Sequence, residues 1–210
     1  MTTLLFIHGW GFEPGIWHEV VARLDGLDCA TVDLGFRGPP RIPAVDRPLV
    51  VGHSMGFAWA LEHLPRPWAG AVAVNAFPRF TRAADFPDGV PPHRLERMRA
   101  QFAEDPAEVV VTFLARLGVV AADPAGIRPV ALAAALDWLA ECDRRADLAA
   151  LDCPLLALAG EQDPLITPAL SRAGFPAAVL ETLPQGGHLL PLTHPDWVAA
   201  GLRRFAAGLP

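Results

Sequence analysis

Short apolar runs alternate with helically spaced segments over most of this 210-residue chain. Residues 3–7, 29–34, 49–52, 70–74, 155–159 and 177–183 are apolar stretches of strand length. Their near-continuous hydrophobicity is the pattern of strands covered on both faces. Between them Ile16, Val20, Val21 and Leu24 recur at helical spacing, which predicts a helix over 16–24. Helices are also predicted over 55–64, 167–173 and 195–207. This alternation predicts an α/β fold with a mostly parallel sheet flanked by helices.

From residue 77 to about residue 152 the rhythm changes and no strand-like run is present. Stretches 91–104, 106–117 and 124–142 each open at or near a proline. Proline suits the first helical turn, where its missing N–H would have no partner anyway. The chain therefore reads as a core of residues 1–76 and 153–210, with an all-helical insertion, 77–152, expected to cap the sheet. Residues 35–47 contain Pro39, Pro40 and Pro43 and no helical period. They predict a bare loop leading to the third strand.

That third strand runs into Gly52-His53-Ser54-Met55-Gly56. Gly-x-Ser-x-Gly between a strand and a helix is the sharp turn that raises a nucleophilic serine above a sheet. A serine hydroxyl needs a base to take its proton, and the base needs an acid to orient it. Asp163 follows the fifth strand, at a strand end where catalytic groups gather in open α/β sheets. His188, in Gln185-Gly186-Gly187-His188, follows the sixth, in a loop whose glycines suit a mobile imidazole. Ser54, Asp163 and His188 are thus the candidate catalytic residues, with Glu161 and Asp137 as reserve acids. The alternative for Asp163, which precedes Pro164, is a turn opener. His194 fits a cap on the last helix. His53 is expected to be structural, because successive residues on a tight turn point apart, and His18 and His63 to lie in helices as packing or surface groups. An oxyanion needs amide donors. The candidates are the N–H of Met55, after the nucleophile, and that of Trp10 in His8-Gly9-Trp10-Gly11. The alternative for the Trp10 side chain is a core aromatic.

Composition narrows the partners. Hydrophobic residues make up 52% and the net charge is −6, which suits a well-packed domain and argues against nucleic acid. Cys29, Cys142 and Cys153 are odd in number and far apart, so neither a disulfide framework nor a metal site is expected. No phosphate loop or nucleotide fingerprint is visible, and no cofactor is implied. No apolar run reaches membrane-spanning length, and the first residues read as a strand with no basic leader. The expectation is a cytoplasmic protein without membrane contact.

With these motifs on the page, the chain resembles the α/β-hydrolase fold family over nearly its whole length. His8-Gly9-Trp10-Gly11, the serine turn, Gly160-Glu161-Gln162-Asp163 and Gly187-His188 follow that family's order. A closer resemblance is to the pimeloyl-[acyl-carrier protein] methyl ester esterases of biotin synthesis. It is carried by the opening loop His8 to Trp17 and by Phe80-Thr81-Arg82-Ala83-Ala84-Asp85-Phe86-Pro87-Asp88-Gly89. Inside the cap it is carried by Thr112-Phe113-Leu114-Ala115-Arg116-Leu117-Gly118, by Ala135 to Leu139 and by Arg144 to Leu148. The resemblance implies a Ser-His-Asp acyl-enzyme mechanism, with Trp10 and Phe113 lining an acyl channel and Arg116 at the substrate. It also implies an acyl-ester substrate carried on an acidic acyl carrier protein docked by cap arginines.

The chain departs from that pattern in four places, one of them Asp33-Leu34-Gly35-Phe36-Arg37-Gly38 in place of Asp-x-Pro-Gly-x-Gly. It starts at the family's third strand. It lacks the helix before the nucleophile strand. Glu108 and Thr112 stand where carrier-docking arginines would align. Arg79, Arg82, Arg94, Arg97, Arg99 and Arg116 offer a different basic patch, and its alternative is a solvated cap face. Three functional readings follow: a carrier-dependent methyl ester esterase, a general small-ester or lactone hydrolase, and a non-catalytic receptor on a hydrolase scaffold. An intact triad separates the first two from the third. Carrier dependence separates the first from the second.

Overall fold

The apolar runs form one sheet in the structure, a computed structural model that describes residues 2–120, 122–176 and 179–209. The strands are β1 (Leu4–Ile7), β2 (Cys29–Val32), β3 (Leu49–His53), β4 (Gly70–Val74), β5 (Leu155–Gly160) and β6 (Leu180–Leu183). They lie in the order β2-β1-β3-β4-β5-β6, and each neighbouring pair is parallel. The start expected for the last strand, Ala177 and Ala178, lies outside the described residues. β2 stops at Val32, two residues early, because Asp33 leaves the sheet to pair with Arg41 in an isolated antiparallel bridge.

Alternate residues of each strand serve opposite faces, as the pleat requires. Leu4, Phe6, Leu49, Val51, Val72, Val74, Leu156 and Leu158 pack on Trp17, Val20 and Leu24, and on α8 (Leu190–Thr193) and α9 (Pro195–Ala207). Leu5, Ile7, Val50, Ala71, Ala73 and Ala157 face α2 (Met55–His63), where the alanines leave room for Phe57, Trp68 and Phe175. Phe6, Trp17 and Phe57 are fully buried, and each such side chain contributes about 1.5–3 kcal/mol. Among the described residues no helix is long and apolar enough to cross a membrane.

Between β4 and β5 come α3 (Pro92–Glu104), α4 (Pro106–Arg116), α5 (Pro129–Glu141) and α6 (Arg145–Ala149). Proline opens α3, α4 and α5, and the Asp105 side chain caps α4 by accepting from the Glu108 amide at 2.9 Å. Leu95, Phe102, Val110, Leu114, Leu132, Leu136 and Leu139 from these helices form one apolar cluster with Trp10, Met55, Phe77 and Ile166. This cluster joins the inserted helices to the carboxyl ends of the strands.

Several predicted boundaries move. The helix expected over 16–24 is a 3₁₀ turn, Pro14–Trp17, followed by α1 (His18–Val21). Ile16, Val20 and Leu24 still point inward, so the spacing reflects burial more than helix length. The helix expected from residue 124 begins at Pro129. The Asp123 carboxylate accepts from the Ala125 amide and holds the intervening residues in a turn. α6 and α8 are too short for a periodic signal and were not foreseen. His194 precedes α9, but its side chain makes no capping bond; it pairs with the Thr193 hydroxyl at 2.9 Å.

Residues 35–47 form the expected bare loop, and one arginine from the helical insertion and one of its own hold it there. Arg128 donates to the carbonyls of Gly35 and Gly38, both at 3.0 Å. Arg37 donates to those of Asp123 and Ala125, both at 2.8 Å. The two connections into and out of the helical insertion are also tied together. Asp143 accepts from Arg145 and Arg79, and Arg145 also reaches Asp85 at 2.7 Å and lies over the Phe86 ring.

Arg145, ahead of Arg79, holds the Asp143 carboxyl well below the ordinary carboxylate range. Such a group stabilises the fold fully above its unfolded pKa near about 4, and that stability is lost as pH falls through the lower folded value. Asp143→Asn is therefore expected to lower Tm by about 2–4 °C at pH 7. The gap from wild type should narrow progressively below pH about 4. Scanning calorimetry across pH checks this; a gap that does not depend on pH would remove the network from the account.

Candidate active site

Ser54 sits at the turn from β3 into α2 with φ 53° and ψ −125°, a strained conformation for a non-glycine residue that costs about 1–3 kcal/mol. Its amide donates to the Val74 carbonyl at 3.0 Å, and its carbonyl accepts from Phe57 at 3.3 Å. The turn closes only because its flanking residues lack side chains. A Cβ on Gly52 would lie 2.4 Å from the Phe57 Cα, and one on Gly56 would lie 2.4 Å from the His8 carbonyl oxygen.

Asp163 and His188 come together from the ends of β5 and β6. The His188 Nδ1–H donates to Asp163 Oδ2 at 2.7 Å, and the pair is almost wholly buried. Asp163 Oδ1 accepts from the amides of Leu165 and Ile166, both at 2.8 Å. Since Asp163 takes the Nδ1 proton, Nε2 keeps its lone pair, the form a general base requires. No Ser54–His188 hydrogen bond is formed among the described residues; such bonds commonly tighten only when substrate is present. The reserve acids lie elsewhere. Glu161 is exposed and accepts from the Thr182 hydroxyl, and Asp137 is exposed and paired with Arg99.

The loop after β1 is fixed by His8. Its Nδ1–H donates to the Gly9 carbonyl at 2.9 Å, and Nε2 accepts from the Leu34 amide at 3.0 Å. Burial lowers the His8 pKa, in keeping with a neutral ring that has one donor and one acceptor. The planar Gly9–Trp10 peptide is therefore held by its carbonyl. Its N–H, that of Trp10, has no hydrogen-bond partner among the described residues. Met55 opens α2, so its N–H is one of those a helix leaves without an internal partner.

Above this floor lies a cavity of about 740 Å³. Its inner wall is apolar, with Trp10, Met55, Phe77, Leu95, Phe113 and Leu136. The Trp10 indole donates to the Leu132 carbonyl at 3.0 Å and meets Phe113 edge-on, with ring centroids 5.0 Å apart. Trp10 is thus both a core aromatic and a cavity wall, combining the two sequence readings. Arg116 lines the cavity with Arg94 and Arg97, and so do Glu104, Asp105 and Glu108. Of the other cap arginines, Arg79 and Arg99 are in ion pairs and Arg82 is exposed. Of the six arginines, two are therefore paired with carboxylates from other elements, while Arg94, Arg97 and Arg116 share the cavity lining with Glu104, Asp105 and Glu108. Among the described residues no three His, Cys, Asp or Glu are grouped to hold a metal ion. Burial pushes the Cys142 thiol up to about 12.

His53, expected to be structural, has its ring fully buried 4.9 Å from that of His188, and its Nε2 contacts the His188 carbonyl at 3.0 Å. One feature was not read from the sequence. Asn75, after β4, was overlooked, although an asparagine at a strand end is a residue that tolerates positive φ. Its φ is 44° and it is almost fully buried.

A family model described as "Alpha/beta hydrolase family" matches residues 4–201. The pimeloyl-[acyl-carrier protein] methyl ester esterase of Stenotrophomonas maltophilia (strain R551-3) is 32% identical, over 98% of this chain and 93% of that protein. The same-named protein of Xanthomonas campestris pv. campestris (strain B100) is 31% identical, over 99% and 96%. Among solved structures, a bromoperoxidase from Bacillus anthracis superposes with TM-score 0.83 at 20% identity, covering 98% of this chain and 92% of that one. An esterase from Exiguobacterium antarcticum gives 0.83 at 16%, covering 99% and 92%. These structural matches show the fold.

The approach of the β5 end to the His188 loop yields a sharp contrast between two glycines. A Cβ on Gly160 would lie 2.2 Å from the Gly186 carbonyl oxygen, whereas one on Gly187 meets nothing within 4 Å. Gly160→Ala is expected to cost about 1–3 kcal/mol through forced backbone movement. Gly187→Ala should fall within about 0.5 kcal/mol of wild type. Urea unfolding of both variants reads the difference, and equal stabilities would contradict the close approach.

Proposed function

The chain belongs to the α/β hydrolase family, and from that premise we propose that it is a serine carboxylesterase acting on the methyl ester of a carrier-bound pimeloyl chain in biotin synthesis. The observations that carry the chemistry are the buried Asp163–His188 pair and the strained turn that places Ser54 in the lining of the cavity. The substrate assignment is supported by near-full-length similarity to the two named esterases.

In this mechanism Ser54 Oγ attacks the ester carbonyl carbon while its proton passes to His188 Nε2. The N–H groups of Trp10 and Met55 stabilise the oxyanion of the tetrahedral intermediate. Collapse breaks the bond to the alkoxy group, which takes the proton from His188 and leaves as methanol. Water then attacks the acyl-enzyme with His188 as base, releasing a carboxylate and restoring Ser54. Asp163 keeps the imidazole in the tautomer this needs. Residues 77–152 act as the cap, with Trp10 and Phe113 walling the acyl chain and Arg116 at the mouth. Arg94, Arg97 and Arg116 offer the charge that an acidic carrier protein would meet. Glu104, Asp105 and Glu108 in the same wall favour a second reading, in which an uncharged free ester is the substrate.

Ser54→Ala and His188→Ala are each expected to lower kcat for a p-nitrophenyl ester by about 10⁴-fold or more, with Asp163→Asn retaining more activity. A Ser54→Ala or His188→Ala variant with a tenth of the wild-type rate would remove that residue from the mechanism.

Carrier dependence is tested by comparing kcat/KM for a carrier-bound methyl ester with that for the free ester of the same chain. Arg94→Glu with Arg97→Glu should reduce only the former, by about tenfold, and added salt should have the same selectivity, because charge complementarity acts mainly on association. Equal turnover of both substrates, unaffected by salt, would replace the carrier-dependent reading with the general esterase one.

A further inference from the structure

Asn75 lies where the connections that carry Ser54, Asp163 and His188 converge. β4 ends at Val74, whose carbonyl holds the Ser54 amide at 3.0 Å. The next residue, Asn75, turns out of the strand at φ 44° while its amide still donates to the Leu158 carbonyl of β5 at 2.8 Å. Its side chain then makes three bonds across the sheet end. Oδ1 accepts from the Gly160 amide at 2.8 Å, and Nδ2 donates to the carbonyls of Gly187 and His188 at 2.8 and 2.7 Å. Chemistry settles the orientation of the amide group, because an N–H stands on one side of it and two carbonyls on the other. Gly160 is the end of the strand that leads to Asp163, so one side chain ties the acid's strand to the base's backbone.

His53 completes the arrangement. A carbonyl can only accept, so His53 Nε2 carries the proton and donates to the His188 carbonyl at 3.0 Å. That oxygen thus takes two side-chain donors, while the opposite end of the residue, Nδ1, is fixed by Asp163. Asn75 and His53, like His188 itself, do not line the cavity; both are bonded to the His188 carbonyl, so they act through His188.

We propose that Asn75, with His53, is a positioning residue that sets where the His188 imidazole stands between Asp163 and Ser54. The proposal rests on the reading of His188 as the base. Displacing a reacting group by about 1 Å costs on the order of 100-fold in rate with little effect on binding. A buried asparagine that merely satisfies backbone groups would change stability and leave kcat alone.

The test uses the full-length enzyme with Asn75→Gly, which keeps the positive φ and removes the amide. Asn75→Asp runs beside it, keeping the shape and the Gly160 bond but losing both donors. Each is measured for Tm, for kcat and KM on p-nitrophenyl butyrate, and for the far-downfield proton resonance of the His188 Nδ1–H. The expected result is a fall in kcat of about 10–100-fold with KM within about twofold, and a shifted or broadened resonance, in a variant that still unfolds cooperatively. If Asn75→Gly does not fold, the same result in Asn75→Asp supports the proposal. Variants with kcat within about twofold of wild type and an unmoved resonance overturn it, as does failure of both variants to fold. His188→Ala, measured in parallel, separates the two readings: inactive His188→Ala with wild-type-like Asn75 variants overturns only the role of Asn75, whereas active His188→Ala overturns the assignment of the base as well.

Discussion

Backbones meet at the carboxyl end of this sheet more closely than side chains would allow, and the site depends on that approach. Gly56 lets the first turn of α2 touch the His8 carbonyl, and Gly160 lets the end of β5 touch the Gly186 carbonyl. The first contact allows the strained Ser54 turn to sit beside the loop that carries the Trp10 amide. The second brings the strand that leads to Asp163 against the loop that carries His188. Parallel pairing makes this convergence possible, because all six strands point their carboxyl ends to the same edge.

Charged and polar groups then hold in place what the glycines allow to approach. His8, His53 and Asn75 are buried and bonded to the backbone of the loops that bear the proposed donors and base. His53 is kept well below its ordinary pKa by burial and then by the neighbouring His188, in keeping with a neutral ring that donates to the His188 carbonyl. The inserted helices are held differently. Their apolar stripes close over Trp10 and Met55, while Arg37 and Arg128 tie the insertion to a loop with no helix of its own and the Asp143 network joins its entry and exit connections.

The parts of this arrangement written in local pattern were legible in the sequence. Strand runs, the serine turn and the prolines that open α3, α4 and α9 depend on residues within a few positions of one another. So did the choice of Asp163 and His188, because each follows a strand directly. What was not legible depends on partners far apart in the chain. Asn75 meets Gly187 and His188, 112 and 113 residues away, and His53 meets His188 across 135. Nothing near either residue announces those contacts. Two of the cap arginines are a further case. Arg79 and Arg99 look free in sequence, but Asp143 and Asp137 neutralise them 64 and 38 residues further on. The start of α5 moved because a side-chain turn at Asp123 competes with the helix.

The central claim is that Ser54 is a nucleophile activated by this scaffold. Its most direct test is mass spectrometry of the intact and digested protein after reaction with an alkyl fluorophosphonate. The account predicts one adduct per chain, on Ser54, formed rapidly by the native enzyme and not by the urea-unfolded chain or by His188→Ala. An adduct on Ser171, the other serine of the chain, or a native protein that stays unlabelled, would contradict it.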